Sequence, residues 1–242
     1  MTTAAPNLIK TYDFGDKWLK QVNSFYSMHL VELDSHVVKK MFTRSYMKTN
    51  RDLYFLMTFA THLVGEKGDV KKMLEVLRKS AAKANKTLDG KIAQLDTLLR
   101  NNGADIVIPA TQTLQAQTPV LTPLSKDVIE LFKKADKAFG LSSLCWFEGL
   151  ADDAQKRKFE EEVRDALSVC LMTIRTVMGT AMNAMRKKEA EGTLPAEASE
   201  ELQEAREHIE STSDVEDAAA QVDNAAVAEA NAIMAQSEEQ PA

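Results

Sequence analysis

The segment from Asp105 to Asp127, DIVIPATQTLQAQTPVLTPLSKD, constrains this chain most, because it interrupts a pattern that is otherwise helical. It holds three prolines, is rich in threonine and has no 3.6-residue apolar repeat. With period two, the odd positions Thr111, Thr113, Gln115 and Gln117 are polar. The even positions Leu114, Ala116 and Val120 are apolar or small, with Gln112 and Thr118 as exceptions. Successive strand side chains point to opposite faces, so this alternation predicts one packed face and one that displays amides and hydroxyls. Pro109 and Pro119 lack a ladder donor and bound the predicted strand to Ala110–Thr118.

A lone strand leaves backbone donors and acceptors without partners. One solution is the same strand from a second copy, paired antiparallel about a two-fold axis. Its rivals are pairing with the MHLVEL segment, which reads as either helix or strand, or with Ile106–Ile108 folded back. The ribbon between two copies is the favoured expectation.

The rest reads as helix. Residues 1–15 are expected to be a flexible arm, and 16–103 a helical region, with Asp52 as a helix N-cap before YFLMTFATHLV. A long helix from Asp69 to Arg100 carries Val70, Met73, Leu74, Leu77, Ala81, Ala84, Leu88, Ile92, Leu95, Leu98 and Leu99 at spacings of three and four. Its other face holds Lys71, Lys72, Lys79, Lys83, Lys86 and Lys91, and Asn101-Asn102-Gly103 is a stop signal. After the strand, Thr122 caps a helix that starts on Pro123. Gly140 is expected to end that helix, Ser142 or Ser143 to cap the next, and Asp152 or Asp153 to start a last helix reaching Lys188. Few glycines and prolines (nine and six in 242 residues) and 6% aromatics agree with a mainly helical chain.

The formal charge of -6 conceals a division. Residues 189–242 hold fifteen acidic side chains and one base, a charge of -14, which leaves +8 on residues 1–188. The acidic, alanine-rich tail has little with which to build a core and is expected to be disordered. A basic body joined to an acidic tail points to a nucleic-acid partner for the body. The tail would then compete for the basic surface and lower non-specific DNA binding. Two cysteines, Cys145 and Cys170, without metal-ligand spacing read as free thiols in a reducing cytoplasm. With no secretory h-region and no apolar run of membrane length, the expected location is cytoplasmic, with no membrane partner.

Strand, helix, turn, helix is the order of a ribbon-helix-helix unit, in which two copies of the strand enter the major groove of double-stranded DNA. Glutamine pairs bidentately with adenine and threonine meets a base edge or a thymine methyl, so Thr111, Thr113, Gln115 and Gln117 are the candidate base contacts. Free amides at a helix N-terminus bind phosphate, which makes Ser142 and Ser143 candidate phosphate contacts, and Lys126 is a third candidate. A polar sheet face open to water has the same alternation, and most lysine runs, Lys39, Lys40, Arg44, Lys48 and Arg51 among them, are solvated faces.

No phosphate-binding glycine loop, HExxH or activated nucleophile is present, so an enzyme is not expected, nor a cofactor or small-molecule substrate. His29, Glu32 and His36 would share one helix face, but without further ligands they are expected to be ordinary polar residues, not a metal site. A non-enzymatic interaction protein is the alternative, acting through the Val70–Leu99 stripe or the methionines Met172, Met178, Met182 and Met185.

A basic helical front, a long helix ending in NNG, a threonine-rich strand, TPLSKDVIELFKKADKAF with its central Asp136, and Trp146-x-x-Gly149 follow one another between residues 40 and 188. This order resembles the AcaB family of transcriptional regulators from conjugative plasmids and integrative conjugative elements. The resemblance implies a homodimeric, ribbon-helix-helix DNA-binding protein that controls conjugative-transfer genes. It leaves the acidic tail unexplained and does not distinguish activator from repressor.

Overall fold

The computed structural model describes residues 8–12, 25–63, 67–103 and 112–192. The order is β1 (Leu8–Tyr12), β2 (Ser27–Leu33), α1 (His36–Leu63), α2 (Lys67–Asn101), β3 (Gln112–Val120), α3 (Pro123–Phe147) and α4 (Asp153–Ala190). The mainly helical expectation holds. The chain divides into two compact units, one built from residues up to Arg51 with Ala81–Ser168, the other from Asp52–Ser80 with the chain from Val169 onward. No helix among the described residues is long and apolar enough to cross a membrane.

The first unit contains the sheet, in the order β1-β3-β2. β3 runs parallel to β1, with Leu8 opposite Gln112 and Tyr12 opposite Ala116. It runs antiparallel to β2, with Ser27 opposite Val120 and Leu33 opposite Leu114. The predicted strand therefore finds both partners in its own chain. With β1 on one edge and β2 on the other, β3 has no edge left for a second copy, and the expected intermolecular ribbon on β3 is corrected. MHLVEL supplies one partner. The other, Leu8–Tyr12, lies where a flexible arm was expected.

Pro119, expected just outside the strand, lies within it. Its carbonyl accepts from the Tyr46 hydroxyl at 2.8 Å and from Asn50 Nδ2 at 2.9 Å. Within a strand the nitrogen of a residue points the same way as its carbonyl, and the β1 register ends at Ala116. The missing N–H therefore removes no ladder bond.

Val31, Leu33, Leu114 and Ala116 are buried on the inner side of the sheet, and Phe42, Ile129, Leu131 and Phe132 are buried on α1 and α3. Phe42 stacks on Tyr46 at 5.0 Å and meets Phe132 edge-on at 5.1 Å. Both aromatic geometries are favourable. Thr122 caps α3 as expected, its hydroxyl accepting from the Ser125 amide at 3.1 Å with Pro123 first in the helix. Asp52 does not start a helix: α1 passes through it unbroken, and its side chain is buried.

In the second unit the last helix packs Ile174, Val177, Met178, Met182 and Met185 as core. Unbranched, adaptable methionine fills irregular space there. The apolar stripe on α2 is buried at Leu77 in the second unit, and at Ala81, Ala84, Leu88, Leu95 and Leu99 in the first.

Candidate nucleic-acid interface

Thr111 lies outside the described residues. Thr113, Gln115 and Gln117 share the outer face of β3, with Gln117 exposed and the other two half-buried. Across from them on β2 stand Leu30, opposite Gln117, and Glu32, opposite Gln115. Gln115 Nε2 donates to Glu32 Oε1 at 2.6 Å, and the Thr113 hydroxyl donates to Asp34 Oδ1 at 2.6 Å. Two of the three described base-contact candidates are thus held by carboxylates of the same face. Such carboxylates repel phosphate, a penalty that grows as water is excluded. Gln117 has no side-chain partner among the described residues.

Asp136 ties this corner to α3. From α3 its carboxylate accepts from the Asp34 amide at 3.0 and 3.1 Å and from the Ser35 amide at 2.7 Å. These donors open α1, so Asp136 caps that helix from a distant part of the chain. Burial pushes its carboxyl above the ordinary carboxylate range, the two amides partly oppose the shift, the charge of Asp34 adds to it and Lys39 opposes it. Lys39 Nζ donates to the Gln112 carbonyl at 2.6 Å, where β3 runs past the end of β2.

Ser142 and Ser143 do not start a helix. α3 continues through Gly140 to Phe147, so no free amides collect at these serines, and Ser142 is buried. The phosphate site expected there is corrected. The physical reason is packing: Leu141, Leu144 and Cys145 pack with Leu95, Leu98, Leu99 and Phe159, which keeps the helix intact across the glycine. The stop comes at Gly149, with φ +68. There the Leu150 amide reaches the Cys145 carbonyl at 2.8 Å and the Gly149 amide that of Trp146 at 3.0 Å. This is the pattern of a Schellman cap. Trp146 Nε1 donates to Asp153 Oδ1 at 2.7 Å and Lys156 Nζ lies 4.7 Å from its ring, tying the end of α3 to the start of α4. Asp136 and the Trp-x-x-Gly segment are thereby both placed in structural roles.

Lys126 is exposed in the first turn of α3. Lys91, on the face of α2 opposite the apolar stripe, pairs with Glu162 of α4, and Lys134 of α3 pairs with Asp89 of α2 at 2.8 Å. His29 and Glu32 sit on opposite faces of β2 and His36 opens α1, so the three do not share a helix face. Cys145 and Cys170 are free and buried.

The fold recurs in a solved structure. AcaB from uropathogenic E. coli superposes with a TM-score of 0.65 at 19% sequence identity, over 69% of this chain and 86% of that one. The fold is AcaB-like. No protein-family model and no curated protein sequence matches the chain. The likeness therefore concerns architecture. The AcaB-like order of elements in this chain places β3 inside a three-stranded sheet, not in a ribbon shared by two copies.

Proposed function

We propose that the protein is a homodimeric, non-enzymatic DNA-binding regulator that controls conjugative-transfer genes of a mobile element. The AcaB-like fold carries this reading, and the separation of charge between a body at +8 and a tail at -14 supports it. Phosphate contacts are assigned to exposed cations: Lys126 on α3, Lys71, Lys72, Arg78 and Lys79 on α2, and Arg157, Lys158 and Arg164 on α4. Each cation that neutralises a phosphate steepens the fall of affinity with salt. On the outer sheet face, base reading begins at Gln117, because Thr113 and Gln115 must first leave Asp34 and Glu32.

A mobility-shift series with full-length protein tests the reading, on random duplex and on the promoter beside its own gene, across a range of salt. The expected result is preferential retention of one fragment in the presence of competitor, weakening as salt rises. No retention of either fragment at low salt overturns it and favours a helical interaction protein.

A further inference from the structure

We propose that the acidic tail folds back on the start of α2, where residues 197–210 dock as an amphipathic helix against Val70 and Leu74, with glutamates on Lys71 and Arg78. The docked tail covers cations assigned above to phosphate, so tail and DNA exclude one another there. This consequence rests on the DNA-binding reading, but the docking does not. It is tested without DNA, so the two can fail separately.

The apolar stripe of α2 is unevenly covered at its start. Val76 and Leu77 are buried, whereas Val70, Met73 and Leu74 are only half-buried. At 3.6 residues per turn, Val70 and Leu74 lie on the flank of the stripe that borders Lys71 and Arg78. Both cations are exposed, as is Lys72. Glu75 holds Lys79 at 3.0 Å, while Lys72 and Arg78 pair with no carboxylate among the described residues. An apolar strip edged by spare cations fits a helix whose own apolar strip is edged by carboxylates.

Residues 197–210 lie outside the described residues, and their sequence has that pattern. Ala198, Leu202, Ala205 and Ile209 recur at intervals of four, three and four. Glu197, Glu201 and Glu204 each stand one residue before a member of this stripe, which sets all three on the same flank of a helix. Arg206 is the only base between Glu189 and Ala242. Pro195 suits the first turn of such a helix. A helix of this length is marginal alone in water, so its formation reports a docked partner.

The chain reaches the site. α2 and α4 run antiparallel, since Lys91 meets Glu162 and, one turn along, Leu95 and Leu99 cluster with Phe159. Equal rise along the two helices sets Val70 level with Asn183, and both residues belong to the second unit. α4 stops where Gly192 takes φ +66 and its amide donates to the Glu189 carbonyl at 3.0 Å. That stop lies about 14 Å beyond the level of Val70 at the rise of a helix. Thr193–Glu197, if extended, return up to about 17 Å, which brings Glu197 back alongside Val70.

Hydrogen exchange of the full-length protein without DNA should show the amides of 197–210 protected about tenfold or more over an unstructured chain. Leu202→Asp with Ile209→Asp should abolish this protection. Lys71→Glu with Arg78→Glu should abolish it too, and adding Glu201→Lys with Glu204→Lys should restore it, which a misfolded α2 would not allow. An unprotected tail in the wild type overturns the docking, and so does protection that the two α2 substitutions leave in place. The Leu202→Asp, Ile209→Asp protein should also retain random duplex about tenfold more tightly at low salt, through the cations set free. Equal retention overturns the competition. If neither protein retains duplex, the DNA-binding reading fails while a protected tail still supports the docking.

Discussion

The two sides of β3 differ by one residue in sequence and by almost everything in environment. On the inner side Leu114, Ala116 and Thr118 are buried, packed beneath α1 and α3 or bonded to the backbone. On the outer side Thr113 and Gln115 face solvent but are engaged by Asp34 and Glu32. Alternation foretells which side is wet. It does not foretell whether the wet groups are spare, because that depends on what the neighbouring strand sets opposite them. A polar face with the right residue types for base edges can be a set of cross-strand bonds instead.

The sharpest test of this difference is Leu114→Ala. A fully packed leucine in a relaxing core is worth about 2–5 kcal/mol when cut to alanine, and urea unfolding should show a loss of that size. Tyr46→Phe comes next. It removes one of the two donors to the Pro119 carbonyl while Asn50 keeps the other. A loss of about 1 kcal/mol is expected for one buried hydrogen bond. An unchanged midpoint would mean that the Asn50 bond and strand pairing hold Pro119 without the Tyr46 hydroxyl.

Much of this architecture was legible locally. Thr122-Pro123 starts a helix, Asn101-Asn102-Gly103 stops one, with Gly103 at φ +66, and the period-two stretch is a strand. The misreadings have one origin, in contacts between residues far apart in sequence. Gly140 and Gly149 look alike as helix stops, yet only Gly149 adopts the left-handed conformation. Leu141, Leu144 and Cys145 bury enough apolar surface against α2 to offset the helix-interior glycine, whose cost is about 1 kcal/mol. Which strand pairs with which is equally non-local. Leu8–Tyr12 is too short to announce itself, and β3 reaches it across a hundred residues of chain. At the candidate interface, Thr113, Gln115 and Gln117 were found by residue type. Glu32 and Asp34 were missed as their partners because the partner strand was not known, and Asp136 was noticed without its role as a remote cap.

Asp136 couples the two sides of the sheet, because it holds the amides beside Asp34 while Asp34 holds Thr113. Its carboxyl is raised chiefly by burial, so the folded chain binds this proton more tightly than the unfolded chain. Stability from this group therefore increases as pH falls through the folded value, and levels off near its ordinary value of 3.8. Asp136→Asn keeps an acceptor for the Ser35 amide and removes the titration. Urea midpoints measured from neutral pH downward should show the wild type gaining on the variant. A gap that is constant with pH would show that the two amides fully offset the burial.

The smallest effect should be Gln115→Ala, one position from Leu114. Its bond to Glu32 is exposed, so its loss should change stability by no more than about 0.5 kcal/mol. Its value lies in DNA binding. If the outer face reads bases, Glu32 hinders it twice, by repelling phosphate and by occupying the amide that would meet a base edge. Glu32→Ala should then raise retention of the preferred fragment, and Gln115→Ala should lower it for that fragment more than for random duplex. If neither substitution moves retention, the outer face is a set of internal bonds, and any DNA contact belongs to the exposed cations of the helices.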